Sequence, residues 1–311
     1  VVMDILSRNQ YDGNTRLNGN TCFRIMKDKY NCEHLKGRLV RVCKESSNIY
    51  YDESSKDLSL FVTYMKEVNI ASFVKANIQN DSLDFDVEQY RTLDNGIVLT
   101  DEQLKAVENF KNYKISLLQG SAGCGKSTSA QAIVNVCRDL GLSTTLLTPT
   151  GASALRLSET TGRTASTIHL KCLRDKEINT DCLLVDECSM IDTDLFHMMI
   201  SCINNSKMRV VLIADANQLI PVGYGTPFAD LLMSNIVPTT LLDKVFRYGN
   251  SGIAFAGANT RQGRNFFEDA EVKNVNGRLN IMGDWDFYEC NDDEEITKKV
   301  MSAVTDPNRI K

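Results

Sequence analysis

Gly120-Ser-Ala-Gly-Cys-Gly-Lys-Ser127 sets three glycines, a lysine and two hydroxyls within eight residues. The spacing Gly-x-x-x-x-Gly-Lys-Ser suits a loop whose backbone N–H groups curl around phosphate oxygens. A helix beginning at the loop would add the positive end of its dipole. Lys126 is placed to pair with the β and γ phosphates, and Ser127 to offer its hydroxyl to magnesium. The expected ligand is a nucleoside triphosphate, ATP with Mg2+, held by Gly120, Ser121, Ala122, Gly123, Cys124, Gly125, Lys126, Ser127 and Thr128. The competing reading is a chance Gly-rich turn, which the flanking strand and helix patterns disfavour.

Phosphoryl chemistry needs carboxylates opposite that loop. Leu183-Leu-Val-Asp-Glu187 delivers two at the end of an apolar run. Asp186 is the candidate metal-side residue and Glu187 the candidate general base that orients a water. Two acids at a helix start, favoured there by the dipole, is the bland alternative. Cys124 inside the loop is a redox candidate, because a helix N-terminus lowers thiol pKa. A small, tolerated packing residue is the favoured reading.

Such groups must be positioned by a sheet. Ile115–Leu118, Thr144–Leu147, Cys182–Val185 and Val210–Ile213 are short apolar runs separated by helical patterns. Continuous apolar strands between helices predict a parallel sheet covered on both faces, with ligands at the carboxyl ends of the strands. The fold class is α/β: a RecA-like P-loop domain over residues 96–265, preceded by a small α/β accessory domain over 1–95. In that domain Arg38–Cys43 and Ile49–Tyr51 read as strands and about Ser54 to Lys75 as a helix. Residues 266–311 read as a strand-rich linker, with Arg278–Ile281 and Asp284–Glu289 strand-like and an acidic helix from about Asp292 to Val304.

Composition bounds the partners. The 311 residues carry a formal net charge of −5, so binding to nucleic acid by bulk electrostatics is excluded and any such contact is local. No apolar run approaches about 18 residues, and no secretory pattern opens the chain. Ten cysteines without paired spacing read as reduced thiols of a cytoplasmic protein. Cys22, Cys32, His34 and Cys43 lack a Cys-x-x-Cys pair, which disfavours a zinc site. His197, between Phe196 and Met198, reads as packing. The opening Val-Val-Met and the abrupt end suggest an excised fragment.

With the two phosphate motifs placed, further segments fall into a known order. They are Leu99-Thr-Asp-Glu-Gln103, Leu147-Thr-Pro-Thr-Gly-Ala-Ser-Ala154, Thr164-Ala-Ser-Thr-Ile-His169, Val185–Met190, Ala214–Gly223 and Leu242–Arg247. The chain resembles the RecD-like branch of superfamily 1B DNA helicases, which includes the Pif and TraA types, strongly over about 97–265. The resemblance implies that Gln103 reads the adenine edge, that Gln218 senses the γ phosphate, and that Arg247 reaches it as an arginine finger. It implies single-stranded DNA contacts from Thr148, Pro149, Thr150, Ser166, Thr167 and His169. Hydroxyls suit phosphate contacts without net positive charge, although helix capping is an equal use for them. The amino-terminal part looks winged-helix-like.

The implied activity is an ATP-dependent helicase or translocase, 5′-to-3′ on single-stranded DNA, in repair or recombination. The alternative is a non-translocating, nucleotide-dependent DNA-binding subunit of a nuclease or recombination complex. A P-loop kinase leaves Gln103 and the later segments unexplained. The sequence departs from the pattern at Ala214, Ile220 and Tyr248, and Lys171–Asn179 leaves room for only a short strand-splitting pin. The second RecA-like domain that the family requires is expected to be missing from this chain.

Overall fold

The computed structural model describes residues 1–33, 38–215, 218–244, 252–261, 263–265, 271–275, 278–281 and 285–305. Contacts divide the chain into two compact units, Val1–Lys244 and Val245–Lys311.

The centre of the first unit is a parallel sheet. Its strands are β4 (Ile115–Gly120), β5 (Thr144–Thr148), β6 (Ala165–Thr167), β7 (Cys182–Val185), β8 (Arg209–Ala214) and β9 (Thr239–Leu242). They lie in the order β6-β5-β7-β8-β4-β9, every pairing parallel. Successive side chains alternate between faces. Leu117, Leu183, Val185, Val210 and Leu212 enter one core; Leu118, Leu184, Val211 and Ile213 enter the other. Both faces are covered, so the strands are apolar throughout rather than alternating with polar residues. The expected α/β fold with a RecA-like sheet is the one observed.

One face is covered by α5 (Asp101–Asn112), α6 (Lys126–Asp139) and α7 (Gly151–Thr161). The other is covered by α8 (Ile168–Asp175), α9 (Thr193–Ser201) and α10 (Pro227–Ser234). A fourth helix on that face comes from the amino-terminal region. It is α4 (Phe61–Asn77), whose Ile70 and Val74 belong to the sheet's core. The buried Arg209 guanidinium ties the segment after α4 to the sheet. It donates to the carbonyls of Phe110 at 3.0 Å, Tyr113 at 2.8 Å and Asp81.

Before α4 the order is α1 (Val2–Tyr11), β1 (Leu17–Asn18), α2 (Gly19–Tyr30), α3 (Leu39–Glu45), β2 (Ile49–Tyr51) and β3 (Asp57–Leu60). The three strands form an antiparallel sheet, β1-β3-β2, over a core of Ile5, Leu6, Cys22, Met26, Leu39, Cys43, Ile49 and Leu58. Two sequence expectations fail here. Arg38–Cys43 is helical, not a strand: Leu39 and Cys43, four apart, are buried, while Val40 and Val42 face solvent. The run Leu-Val-Arg-Val-Cys satisfies either period, and the burial of an i,i+4 pair decided it. The helix expected from Ser54 begins at Phe61. A hairpin precedes it, its turn held by the Asp52 carboxylate accepting from Ser54 N at 2.8 Å.

The second unit carries α11 (Gly252–Arg261), the antiparallel meander β10-β11-β12 (Val272–Val275, Arg278–Ile281, Trp285–Phe287) and α12 (Asp293–Thr305). Asp293, Glu294 and Glu295 occupy the first turn of α12, where the helix dipole favours them. No helix among the described residues is long and apolar enough to cross a membrane.

Candidate functional site

The Gly-rich loop leaves the carboxyl end of β4 and enters α6. Gly123 and Gly125 adopt φ of 84° and 91°, a region closed to most side chains. A Cβ at Gly120 would collide with Cys124 Sγ and Leu242 Cβ, so the close approach of β9 to the loop depends on this glycine. Lys126 folds back: its Nζ donates to the carbonyls of Gly120 at 2.6 Å and Ser121 at 3.0 Å. Those carbonyls hold the ammonium in a place where a phosphate would compete for it.

Cys124 is a packing residue in this structure. It is buried, its Sγ donates to the Ser121 carbonyl at 2.8 Å, and burial pushes its thiol upward despite Lys126. A reactive thiolate needs the opposite environment.

β7 is two strands from β4, separated by β8, and ends beside the loop's mouth. Asp186 N donates to the Leu147 carbonyl at 2.9 Å, and Asp186 Oδ1 accepts from Glu187 N at 2.8 Å. Burial, opposed by the Glu187 amide and more weakly by Lys126 and Arg156, raises the Asp186 carboxyl to about 6. Glu187 sits at φ 57°, left-handed for a non-glycine residue, a conformation that costs of order 1 kcal/mol and re-aims its side chain. Its Oε1 lies 3.9 Å from Arg156 Nη1 on α7. Sequence reasoning passed over Arg156, because its spacing resembles that of any exposed helix arginine.

At the end of β8, Asp215 is buried, and its carbonyl accepts from Gln218 N at 3.0 Å. This brings Gln218, half-buried, to the same edge as the loop and the acid pair. Ala216 and Asn217 lie outside the described residues, as does Arg247, the expected arginine finger.

Gln103 lies at the start of α5, behind the loop. It is 4% exposed, and its side-chain oxygen accepts from Thr100 N at 3.1 Å, completing a capping box at the start of α5. Its amide nitrogen donates to the Cys124 carbonyl at 3.4 Å. The side chain thus braces the back of the loop through that contact.

The proposed DNA segments split as well. Thr148 is fully buried and donates to the Thr150 carbonyl at 2.8 Å, so it supports the turn and cannot itself touch a strand. Thr150 caps α7 through Ser153 N at 3.2 Å, and Thr167 caps α8 through Leu170 N at 3.1 Å. Pro149, Ser166 and Thr167 are half-buried and His169 exposed, all at the carboxyl edge of β5 and β6. The segment that leaves room for only a short pin continues a helix. Lys171–Asp175 completes α8, and Ile178 returns to the core against Ile203. Cys22 and Cys43 pack in the amino-terminal core; His34 lies outside the described residues.

A Gly-rich loop and an acid-tipped strand at the carboxyl edge of a parallel sheet define a RecA-like nucleotide-binding domain. The chain belongs to the AAA domain family, which it matches over residues 98–284, more than half of its length. It is 35% identical over 158 residues to the ATP-dependent RecD2 DNA helicase of Deinococcus radiodurans, covering 48% of this chain and 22% of that protein. It is 31% identical over 157 residues to an uncharacterized protein of Methanocaldococcus jannaschii, covering 42% of this chain and 13% of that one. The chain therefore spans about a fifth or less of the length of these curated relatives. Among solved structures it is similar to the Pif1 helicase from Candida albicans, with 21% identity and a TM-score of 0.41 over 58% of this chain and 50% of that one. It is also similar to the Arterivirus nonstructural protein 10 helicase in complex with DNA, with 18% identity and a TM-score of 0.33 over 52% and 43% of the two chains.

Proposed function

We propose that this chain is the ATP-binding part of a DNA helicase or translocase that moves 5′-to-3′ along single-stranded DNA. The observation that carries the reading is the convergence of Lys126, Asp186 and Gln218 at one carboxyl edge of the sheet. Residues 96–265 act as the ATPase domain, residues 1–95 as an accessory module and 266–311 as a segment leading toward a second RecA-like domain. The ten cysteines, all free, accord with a reducing, cytoplasmic setting.

The donor set fits magnesium. Ser127 and Asp186 supply hard oxygen ligands, and an octahedral ion keeps several waters beside two such donors. Bound there, it would neutralise charge on the β and γ phosphates. The raised carboxyl of Asp186 accords with this, since a buried acid awaiting a cation is protonated more readily. Lys126 would leave the Gly120 and Ser121 carbonyls to hold phosphate oxygens, and Glu187 would orient the attacking water. Gln218 would sense the γ phosphate, and Arg247 would stabilise charge on it. Thr150, Ser166, Thr167, Pro149 and His169 would line the strand's path.

The test has two stages. Lys126→Ala should abolish binding of a fluorescent ATP analogue; unchanged affinity sinks the assignment of the loop. Unwinding of duplexes with a 5′ or a 3′ tail by the whole protein then reads polarity. Preference for the 3′ tail overturns the direction, and nucleotide-dependent DNA binding without movement favours the non-translocating subunit of a nuclease or recombination complex.

A further inference from the structure

The amino-terminal region holds a surface that neither the nucleotide site nor the single-strand path uses. Its elements run helix, strand, two helices, hairpin: α1-β1-α2-α3-β2-β3. The first strand is added to the β3 edge of the hairpin, giving the sheet β1-β3-β2. This is the order of a helix-turn-helix with a hairpin wing. In a helix-turn-helix the second helix of the pair enters the major groove of a duplex and the first crosses its backbone. Those helices here are α3 and α2.

Charge singles out the same pair. The chain carries −5 overall, yet residues 19–45 hold seven lysines and arginines against three acids, a net charge of +4. Among the described residues all of these cations are exposed. Lys27 pairs with Glu33, Arg41 with Glu45 and Lys44 with Glu53. Arg24, Lys29 and Arg38 form no ion pair among the described residues. A local excess of unpaired cations is what a polyanion needs from a protein that is acidic as a whole.

The outer side of α3 adds shape. Only Leu39 and Cys43 are buried on this helix. Val40 is 44% and Val42 53% exposed, and they stand beside the exposed Arg41 and Lys44. Apolar side chains between cations suit a groove, where methyl groups meet thymine methyls and the cations reach phosphates. The seven residues of α3 span about 10 Å, the length of about three base-pair steps.

The hairpin gives this surface a signature. Its turn sets the Glu53 carboxylate on Lys44. Both side chains are solvated, so the pair is weak and a phosphate can replace it. Glu53 then stands as a repulsive charge at the edge of a bound duplex.

We propose that residues 1–60 are a winged helix-turn-helix that binds double-stranded DNA, with α3 in the major groove and Arg38, Arg41 and Lys44 on the flanking phosphates. The site uses none of the residues of the single-strand path and needs no nucleotide.

The experiment is fluorescence anisotropy on the whole protein without nucleotide. The probes are a short blunt-ended DNA duplex, the RNA duplex of the same sequence and one DNA strand alone. The native protein should prefer the DNA duplex to the RNA duplex, whose major groove is too deep and narrow for side chains to read. Arg41→Gln with Lys44→Gln should weaken binding of the DNA duplex about tenfold and lower the slope of log Kd against log salt by about 2. Single-strand affinity and melting temperature should not change. Glu53→Gln should tighten duplex binding about two- to threefold, a gain that misfolding cannot produce. Lys126→Ala should leave duplex binding intact, so loss of the nucleotide reading would not touch this one. The proposal is overturned by a native protein that binds no DNA duplex at low salt, or that binds the RNA duplex equally well. Equal losses for duplex and single strand in the double variant overturn it too, as does the absence of any gain in Glu53→Gln.

Discussion

The side-chain amide of Gln103 donates to the backbone carbonyl of Cys124, joining the capped start of α5 to the phosphate loop. The same side chain occupies the space that a Cβ on Gly125 would need. A residue on the helix that precedes β4 therefore braces the loop, and the loop's glycine is required partly because that residue is there. Removing Gln103 should weaken both ends of the strap. Gln103→Ala should lose about 1–2 kcal/mol of stability, from the cap and a buried hydrogen bond, and weaken ATP binding. Gln103→Glu keeps the acceptor for Thr100 but sets a carboxylate against the Cys124 carbonyl, so its nucleotide affinity should fall further. Denaturant titration and nucleotide titration check the pair; native-like binding by Gln103→Glu would disprove the strap.

Asp186 predicts a pH effect on the nucleotide-free protein. Its folded-state value, about 6, lies above the ordinary 3.8, so the native chain holds this proton more tightly than the unfolded one. The group's cost is thus absent at low pH and grows as pH rises from about 4 through 6. Above pH 7 it amounts to at most about 3 kcal/mol, and at pH 5 to about half of that. Asp186→Asn should therefore melt higher than the native protein at pH 8 without magnesium, with a smaller gain at pH 5. An equal or lower melting temperature at pH 8 would show that burial of this carboxyl carries no such cost.

Thr150 and Thr167 cap helices as well as facing the proposed strand path. Each Thr→Ala change should cost about 1 kcal/mol through the lost cap alone. The doubly substituted Thr→Ser protein keeps both caps and should match native stability and single-strand affinity. The Thr→Ala pair should bind a single-stranded oligonucleotide more weakly while retaining ATP affinity. Unchanged oligonucleotide affinity, read by fluorescence anisotropy, would place the DNA path elsewhere.

The segment after Gln218 is docked on the amino-terminal region. Gly225 N donates to the Gly13 carbonyl at 3.0 Å, and Lys66 on α4 donates to Asp194 at 2.6 Å and to the Tyr224 hydroxyl at 3.3 Å. Gly225 has φ 79°, and a Cβ there would strike Thr193 and Thr15. Gly225→Ala should cost about 2 kcal/mol or more, by strain and overpacking together. Lys66→Ala breaks a half-exposed pair and should cost under about 1 kcal/mol. Melting curves that rank the two the other way would show that charge, not backbone fit, holds this junction.

Much of the site was legible because its chemistry is local. Gly120 to Ser127 needs only eight consecutive residues between a strand and a helix, and the apolar runs at Ile115, Thr144, Cys182 and Val210 announce the sheet. Arg38–Cys43 was misread because a short, mainly apolar run interrupted by Arg41 fits both periods. The bracing contacts of Gln103 were not legible because its partners, Thr100 and the Cys124 carbonyl, include a backbone atom that no side-chain pattern marks. Ile70 and Val74 gave no sign that they would enter the core of a sheet beginning forty residues later.

By itself the sequence determined that a triphosphate loop and an acid pair would meet at the carboxyl edge of a parallel sheet, since strand–loop–helix order and period fix where such edges fall. Tertiary structure alone decided what each side chain does there. It folded Lys126 onto its own loop, buried Thr148, turned Gln103 inward and brought Arg156 to Glu187. These depend on which groups compete for the same space and the same hydrogen bonds, and that competition exists only once the chain has packed.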